Sequence, residues 1–304
     1  MKKKIGALLR RLLPFKLYKL IANGFIVIPA YYKTVIQDAE NYLDCSLQEN
    51  DKKEMMLLRK YAHIIDKGLH RKDAEPGHSH SIYILLKQNI QRFQGTEYEQ
   101  DPTYQWALSK LKLYEELQTS PETFKSLQEE VVAPEINFNQ LSSLIKLRRS
   151  NRVFKERTLS EDIIEKLNEV VNWAANSCNK QPIKLFKTNN PSLAKECLKC
   201  CKGGTGFGNF IPSFWVFTAD VRAYVWPSEM FLPAIDVSLG AQNVFLAATT
   251  LGISGTILSW AQKNKEEERR LRQLLNIEPE YDIIFCAVLG YAEVNNLPPQ
   301  RKIK

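Results

Sequence analysis

Apolar residues change their period near residue 140, and that change limits what the chain can fold into. Upstream, Met55, Leu57, Leu58, Tyr61, Ile64 and Ile65 recur at three- and four-residue spacing before Gly68, which predicts a helix over 54–70. The same period predicts helices over 81–93 and 104–117, with Pro102 and Pro121 at the breaks. Val131 to Asn139 reads as a linker. Downstream, helical stretches alternate with short β-branched runs. Leu141–Leu147 is helix-periodic, and Ser160 is an N-cap candidate for a helix over 160–175. Phe214–Thr218 and Ile283–Leu289 read as buried strands. Between them Ala234–Leu251, rich in small residues, reads as a long helix ended by Gly252, and 265–275 as a charged amphipathic one. The organisation expected is a basic segment 1–37, a helical region 38–135 and an α+β region 141–304.

Charge adds a second constraint. The 304 residues carry a net charge of +8, and eight basic residues (Lys2, Lys3, Lys4, Arg10, Arg11, Lys16, Lys19 and Lys33) precede the first acidic one, Asp38. The remainder is therefore neutral overall, which argues against a nucleic-acid partner. Ile5, Leu8, Leu9, Leu12, Leu13, Leu17 and Leu20 alternate with those cations, the pattern of a basic amphipathic helix over 5–22, interrupted near Pro14. It runs on into an apolar stretch, Phe25–Tyr32. Two readings stand: peripheral contact with an anionic membrane through residues 1–35, or a helix packed on its own domain with a solvated basic face. No secretory signal is legible and no apolar run reaches the ~20 residues of a spanning helix. The expected location is the cytoplasm, with peripheral attachment at the inner face of the membrane as an addition to it.

Six cysteines (Cys45, Cys178, Cys197, Cys200, Cys201 and Cys286) without a secretory signal read as reduced thiols. Cys197 and Cys200 make one CxxC, but no second pair completes a zinc site, so semi-buried helix cysteines and no metal are expected. His63, His70, His78 and His80 cluster in one window with no metal-binding spacing and read as surface or loop residues.

The residues that carry chemistry begin at Arg148-Arg149-Ser150-Asn151-Arg152. Three guanidinium groups around a hydroxyl suit a polyanion, since arginine binds phosphate oxygens bidentately. Ser177-Cys178-Asn179-Lys180-Gln181-Pro182 follows, then Gly203-Gly204-Thr205-Gly206-Phe207, the small-residue helix through Gly240 and Ala241, Leu251-Gly252-Ile253, and finally Leu289-Gly290-Tyr291 with Arg301. In this order the set resembles the nitroreductase family of flavin enzymes. Ala62-His63-Ile64-Ile65-Asp66-Lys67-Gly68-Leu69 further resembles a segment of nitroreductase-like proteins from surface-polysaccharide gene clusters, with Asp66 in place of Glu.

The resemblance implies a three-layer α+β fold with a mainly antiparallel central sheet, preceded here by the helical N-terminal region. It implies bound FMN, NAD(P)H as co-substrate, a small-molecule electron acceptor and a homodimer. Arg148, Ser150 and Arg301, with Arg149 beside them, would hold the phosphate and ribityl chain. Arg152 would face the N1–C2=O edge of the flavin, Asn179 and Ser177 would lie in the turn beside it, and the backbone at Ser259 would donate to N5. A fixed cation at that edge stabilises the charge that two-electron reduction places there. No side chain stands out as an obligatory acid or base. Asn176, Cys178, Ile183, Ser259 and Trp260 depart from the family pattern, which leaves the acceptor open. Two rivals remain on the same scaffold: a specialised FMN-dependent dehydrogenase or oxidase of polysaccharide metabolism, and a non-catalytic membrane-associated accessory protein.

Overall fold

The computed structural model describes residues 14–22, 50–122, 132–224, 226–260 and 265–302, with Phe124 and scattered positions between 24 and 44. Of the basic helix expected over 5–22, α1 (Phe15–Ala22) is described; residues 5–13, part of Phe25–Tyr32, Cys45 and Val131 lie outside the described residues. There follow α2 (Asp51–Leu69), α3 (His80–Phe93), α4 (Pro102–Thr119), α5 (Phe138–Leu147), α6 (Glu161–Glu169), β1 (Ile183–Thr188), α7 (Pro191–Lys199), β2 (Ser213–Asp220), α8 (Leu232–Thr250), β3 (Ser254–Leu258), α9 (Lys265–Leu275) and β4 (Tyr281–Gly290).

Helices α2, α3 and α4 form a bundle with its own core, in which Leu58, Ile65, Leu86, Tyr114 and Leu117 are buried. Local chemistry fixes its ends. Asn50 Oδ1 accepts from Lys53 N at 2.9 Å at the start of α2, and Asp101 Oδ1 accepts from Thr103 N at 2.7 Å ahead of Pro102 in α4. The histidine window is partly structural here. The His78 ring occupies the space over Gly68, where an added Cβ would lie 2.0 Å from Nε2. His70 is exposed, as expected of a surface residue, but His78 packs into the bundle, and its carbonyl accepts from Tyr114 Oη at 2.6 Å.

The four strands make one antiparallel sheet in the order β1-β2-β4-β3. The two strands expected from apolar runs are its centre, each longer than the run that announced it. Side-chain alternation along β2 sends Trp215 and Phe217 to one face and Phe214 and Val216 to the other. Trp215 and Phe217 pack with Leu185, Ala287, Leu289 and the helices α6 and α8. Phe214 and Val216 pack with Cys286, Val288 and the helices α7 and α9. The result is the expected three layers, helices on both faces of the sheet. Complete burial of such side chains contributes roughly 1.5–3 kcal/mol each, so β2 and β4 dominate the stability of this half.

Two elements differ from expectation. The helix expected over 160–175 ends at Glu169 and tightens into a 3₁₀ turn over Val170–Trp173, and Ser160 sits at the N-cap without a side-chain cap bond. β1 has no apolar run to announce it, because Lys184 and Lys187 interrupt the pattern on an edge strand. The bundle meets the sheet half through α2, where Met56 packs against the α6/α8 core.

Candidate functional site

Asn137 and Gln140 form a capping box that starts α5, and the helix ends at Arg148. That end is where the arginine motif begins, at the negative pole of the helix. Arg149 spends its donors on carbonyls: Nε on Asn296 O at 3.2 Å, and one terminal nitrogen on Arg148 O at 2.8 Å and on Lys146 O. Asn296 Nδ2 in turn donates to Ser150 O at 2.8 Å. Past the motif, Glu293 N donates to Val153 O at 3.2 Å and Lys155 N to Tyr291 O at 2.9 Å. These bonds lash the C-terminal segment to the motif although some 146 residues separate them in sequence.

The consequence is electrostatic. Arg148 is held below its ordinary value first by burial, then by the positive charges of Arg301 and Arg149. Among the described residues no carboxylate offsets Arg148, Arg149 or Arg301, and Arg148 Nη1 lies 3.5 Å from Ser150 Oγ. A partly desolvated group of like charges is unfavourable unless an anion completes it.

Asn151, inside the motif, is 1% exposed with both side-chain polar atoms lacking a partner among the described residues. Its backbone is fixed by Thr256 Oγ1 of β3, which donates to Asn151 O at 2.7 Å. Buried amides without partners are uncommon and ask for water or a ligand. Arg152 is exposed beside the glycine-rich loop: Gly208 N donates to Arg152 O at 2.9 Å, and the guanidinium lies 5.9 Å from the Phe207 ring centre. Gly206 has φ +83°, and a Cβ there would lie 3.8 Å from Arg152 Cδ, so this loop approaches the arginine closely. Ser259, three residues past Thr256, is exposed at the end of β3.

The other expected piece is the turn after α6. Cys178, Asn179 and Gln181 have φ of 54°, 51° and 50°, in the left-handed region that glycine ordinarily occupies. Strain of that kind persists where neighbours over-determine it. Asp236 of α8, 2% exposed, accepts from Ser177 N and Ser177 Oγ, both at 3.1 Å, and from Tyr224 Oη at 2.8 Å. Asn176 Oδ1 accepts from Gln181 N at 2.9 Å. From the bundle, Arg59 Nε donates to Asn179 O.

The structure thus brings Arg148, Arg149, Ser150 and Arg301 together and sets Arg152 and the end of β3 beside them. Among the described residues no hydrogen bond or ion pair joins Ser177 or Asn179 to that group. Ser177, expected as a donor to a ligand, already gives its hydroxyl proton to Asp236. Asp236, Arg59, Asn151 and Asn296 escaped the sequence reading. For Asp236 a signal existed, a lone acid in an otherwise apolar helix.

The cysteines expected to be semi-buried are more enclosed than that: Cys197, Cys200, Cys201 and Cys286 are buried, and Cys178 is half-buried. Burial pushes the Cys197 thiol up to about 12 and keeps it protonated and inert. No group of three or more His, Cys, Asp or Glu side chains among the described residues could hold a metal ion.

An antiparallel sheet between helical layers, with an arginine group shaped for an anion, defines a class of ligand-binding α+β protein. The nitroreductase family model matches residues 214–291. A protein of Archaeoglobus fulgidus, provisionally named an NADH dehydrogenase/NAD(P)H nitroreductase, is 32% identical over 152 residues, covering 49% of this chain and 83% of the relative. A similarly named protein of Methanothermobacter thermautotrophicus is 24% identical over 169 residues, covering 50% and 76%. The chain belongs to the nitroreductase family. Among solved structures, a provisionally named NADH dehydrogenase/NAD(P)H nitroreductase of Parabacteroides distasonis superposes with a TM-score of 0.48 at 19% identity, over 55% of this chain and 94% of that one. A nitroreductase with bound FMN from Bacteroides fragilis gives 0.45 at 18%, over 55% and 95%.

Proposed function

We propose that the protein is an FMN-dependent oxidoreductase that oxidises NAD(P)H and passes the electrons to a small-molecule acceptor. The observation that carries this reading is the arginine group at Arg148, Arg149 and Arg301, held together without a carboxylate among the described residues. Such a group fits the phosphate of FMN, with Ser150 as a compact additional donor. FMN, when bound, supplies the two-electron chemistry. The chain supplies position and charge. Arg148 and Arg301 hold the anionic end, and Arg149, whose donors are spent on backbone carbonyls, sets their spacing. Arg152 offers a permanent cation for the electron-rich edge of the ring, because arginine keeps its proton at working pH. Asn179 and Ser177 shape the wall of the groove through the rigid turn, and the backbone at Ser259 serves as a donor.

The active form proposed is a homodimer. α5 buries none of its residues, and Phe138, Leu141, Ile145 and Leu147 stand exposed along it. Ile235 and Leu239 of the neighbouring α8 are 52% and 46% exposed, so an apolar surface is left for a second copy. That copy would carry its own arginine group and turn to the same groove.

The test is direct. Purified protein titrated with FMN should take it up, quench its fluorescence, and lose its visible absorbance when NADH or NADPH is added without oxygen. A preparation that takes up no FMN overturns the reading; one that binds FMN but is bleached by neither nucleotide overturns its NAD(P)H half.

A further inference from the structure

The basic N-terminal segment takes no part in the chemistry above, and its composition and exposure ask for a different partner. We propose that it docks the protein on an anionic phospholipid surface, lying in the plane of the headgroups. The charge there has one sign, eight cations before the first acid, while the rest of the chain is neutral overall. The attraction is therefore local to this end of the molecule.

Within α1 the cations Lys16 and Lys19 and the apolar residues Leu17 and Leu20 each recur at three-residue spacing, which puts them on adjacent faces of one short helix. Leu17 and Leu20 are 44% and 71% exposed, and beyond the helix Phe25, Ile28 and Ile36 are 81%, 49% and 53% exposed. Five large apolar side chains thus stand in water within a stretch of 20 residues. A soluble polyanion would meet the lysines and leave the leucines wet, and a second copy of the segment would bring the same positive charge. Negative headgroups over hydrocarbon meet both demands at once. No helix among the described residues is long and apolar enough to cross a membrane, so the element lies in the surface.

The experiment is co-sedimentation of the full chain with vesicles of phosphatidylglycerol mixed with phosphatidylcholine, and with phosphatidylcholine alone. Binding to the mixed vesicles only is expected, with release at about 1 M salt, where screening acts within ~3 Å. Lys16→Gln should weaken binding about fivefold, the usual contribution of one cation at such a surface. Leu17→Ser with Leu20→Ser should abolish it while the circular dichroism spectrum stays that of the parent. The proposal is overturned if the chain stays in the supernatant with both vesicle types. It is equally overturned if the double substitution leaves sedimentation intact, or if the segment drives lipid-free self-association instead.

Discussion

Arg59 Nε donates to the carbonyl oxygen of Asn179 at 2.5 Å, across 120 residues of chain. The same guanidinium donates to Thr103 Oγ1 at 3.2 Å and lies 4.9 Å from the Trp106 ring centre. Burial lowers Arg59 from its ordinary value, with the Asp101 carboxylate opposing that shift. One cation therefore ties α2, α4 and the left-handed turn together. The helical region is thereby coupled to the proposed flavin groove.

Arg59→Met tests that coupling. Methionine keeps an apolar stem over Trp106 and removes every donor. A hydrogen bond from a charged donor contributes about 1.5–3 kcal/mol, so a turn released from it should bind FMN at least about tenfold more weakly. Fluorescence titration measures the affinity, and amide exchange over 177–181 should accelerate in the same variant. Parental affinity combined with parental exchange would show that the turn holds itself without the bundle.

Arg301→Gln separates ligand binding from stability by sign. Without ligand, Arg301 and Arg149 both disfavour the charge on Arg148. Removing one of three like charges relieves that repulsion, so the FMN-free variant should melt no lower than the parent. With FMN present the order should reverse, because a phosphate partner is lost and the affinity falls at least about tenfold. Calorimetry with and without FMN reads both signs. A variant destabilised without ligand would mean that Arg301 serves the fold and not an anion.

The sequence announced elements whose pattern is local and lost those that depend on distant partners. β2 and β4 are legible in Phe214–Thr218 and Ile283–Leu289 because both faces of a central strand are apolar. β1 is not legible, since an edge strand with lysines at 184 and 187 shows no run. The arginine motif was legible as chemistry, but its assembly with Arg301 depends on Asn296 and the pairing beyond β4, which no local period encodes. Asp236 and Arg59 were missed for the same reason: each acts on a turn far away in sequence.

Alkaline pH should destabilise the sheet half. Burial raises Cys197 from 9.0 to about 12 and Tyr281 from 10.0 to about 12. For groups raised in the folded state, the stabilisation is complete below the unfolded value and is lost as pH climbs to the folded one. Stability should therefore fall from about pH 9 towards 12, by up to ~1.4 kcal/mol per pH unit for each group. Denaturant unfolding across that range should show the slope, and Cys197→Ala should flatten its lower part. An unchanged slope in that variant would remove Cys197 from the explanation.

Gly68 and His78 give a test of the bundle in which substitutions change sign with context. A Cβ on Gly68 would meet His78 Nε2 at 2.0 Å and Cδ2 at 2.2 Å, and the ring has little room to retreat because it lies edge-on to Tyr114 at 5.0 Å. Gly68→Ala in the parent should therefore destabilise by roughly 1–3 kcal/mol, the range for overpacking. In a His78→Ala background the collision is gone, and alanine inside a helix is favoured over glycine by about 1 kcal/mol. The same substitution should then be neutral or stabilising. The four unfolding free energies form a cycle whose coupling measures the ring-to-helix contact alone. Additive effects in that cycle would show that the glycine is there for some reason other than the histidine lying on it.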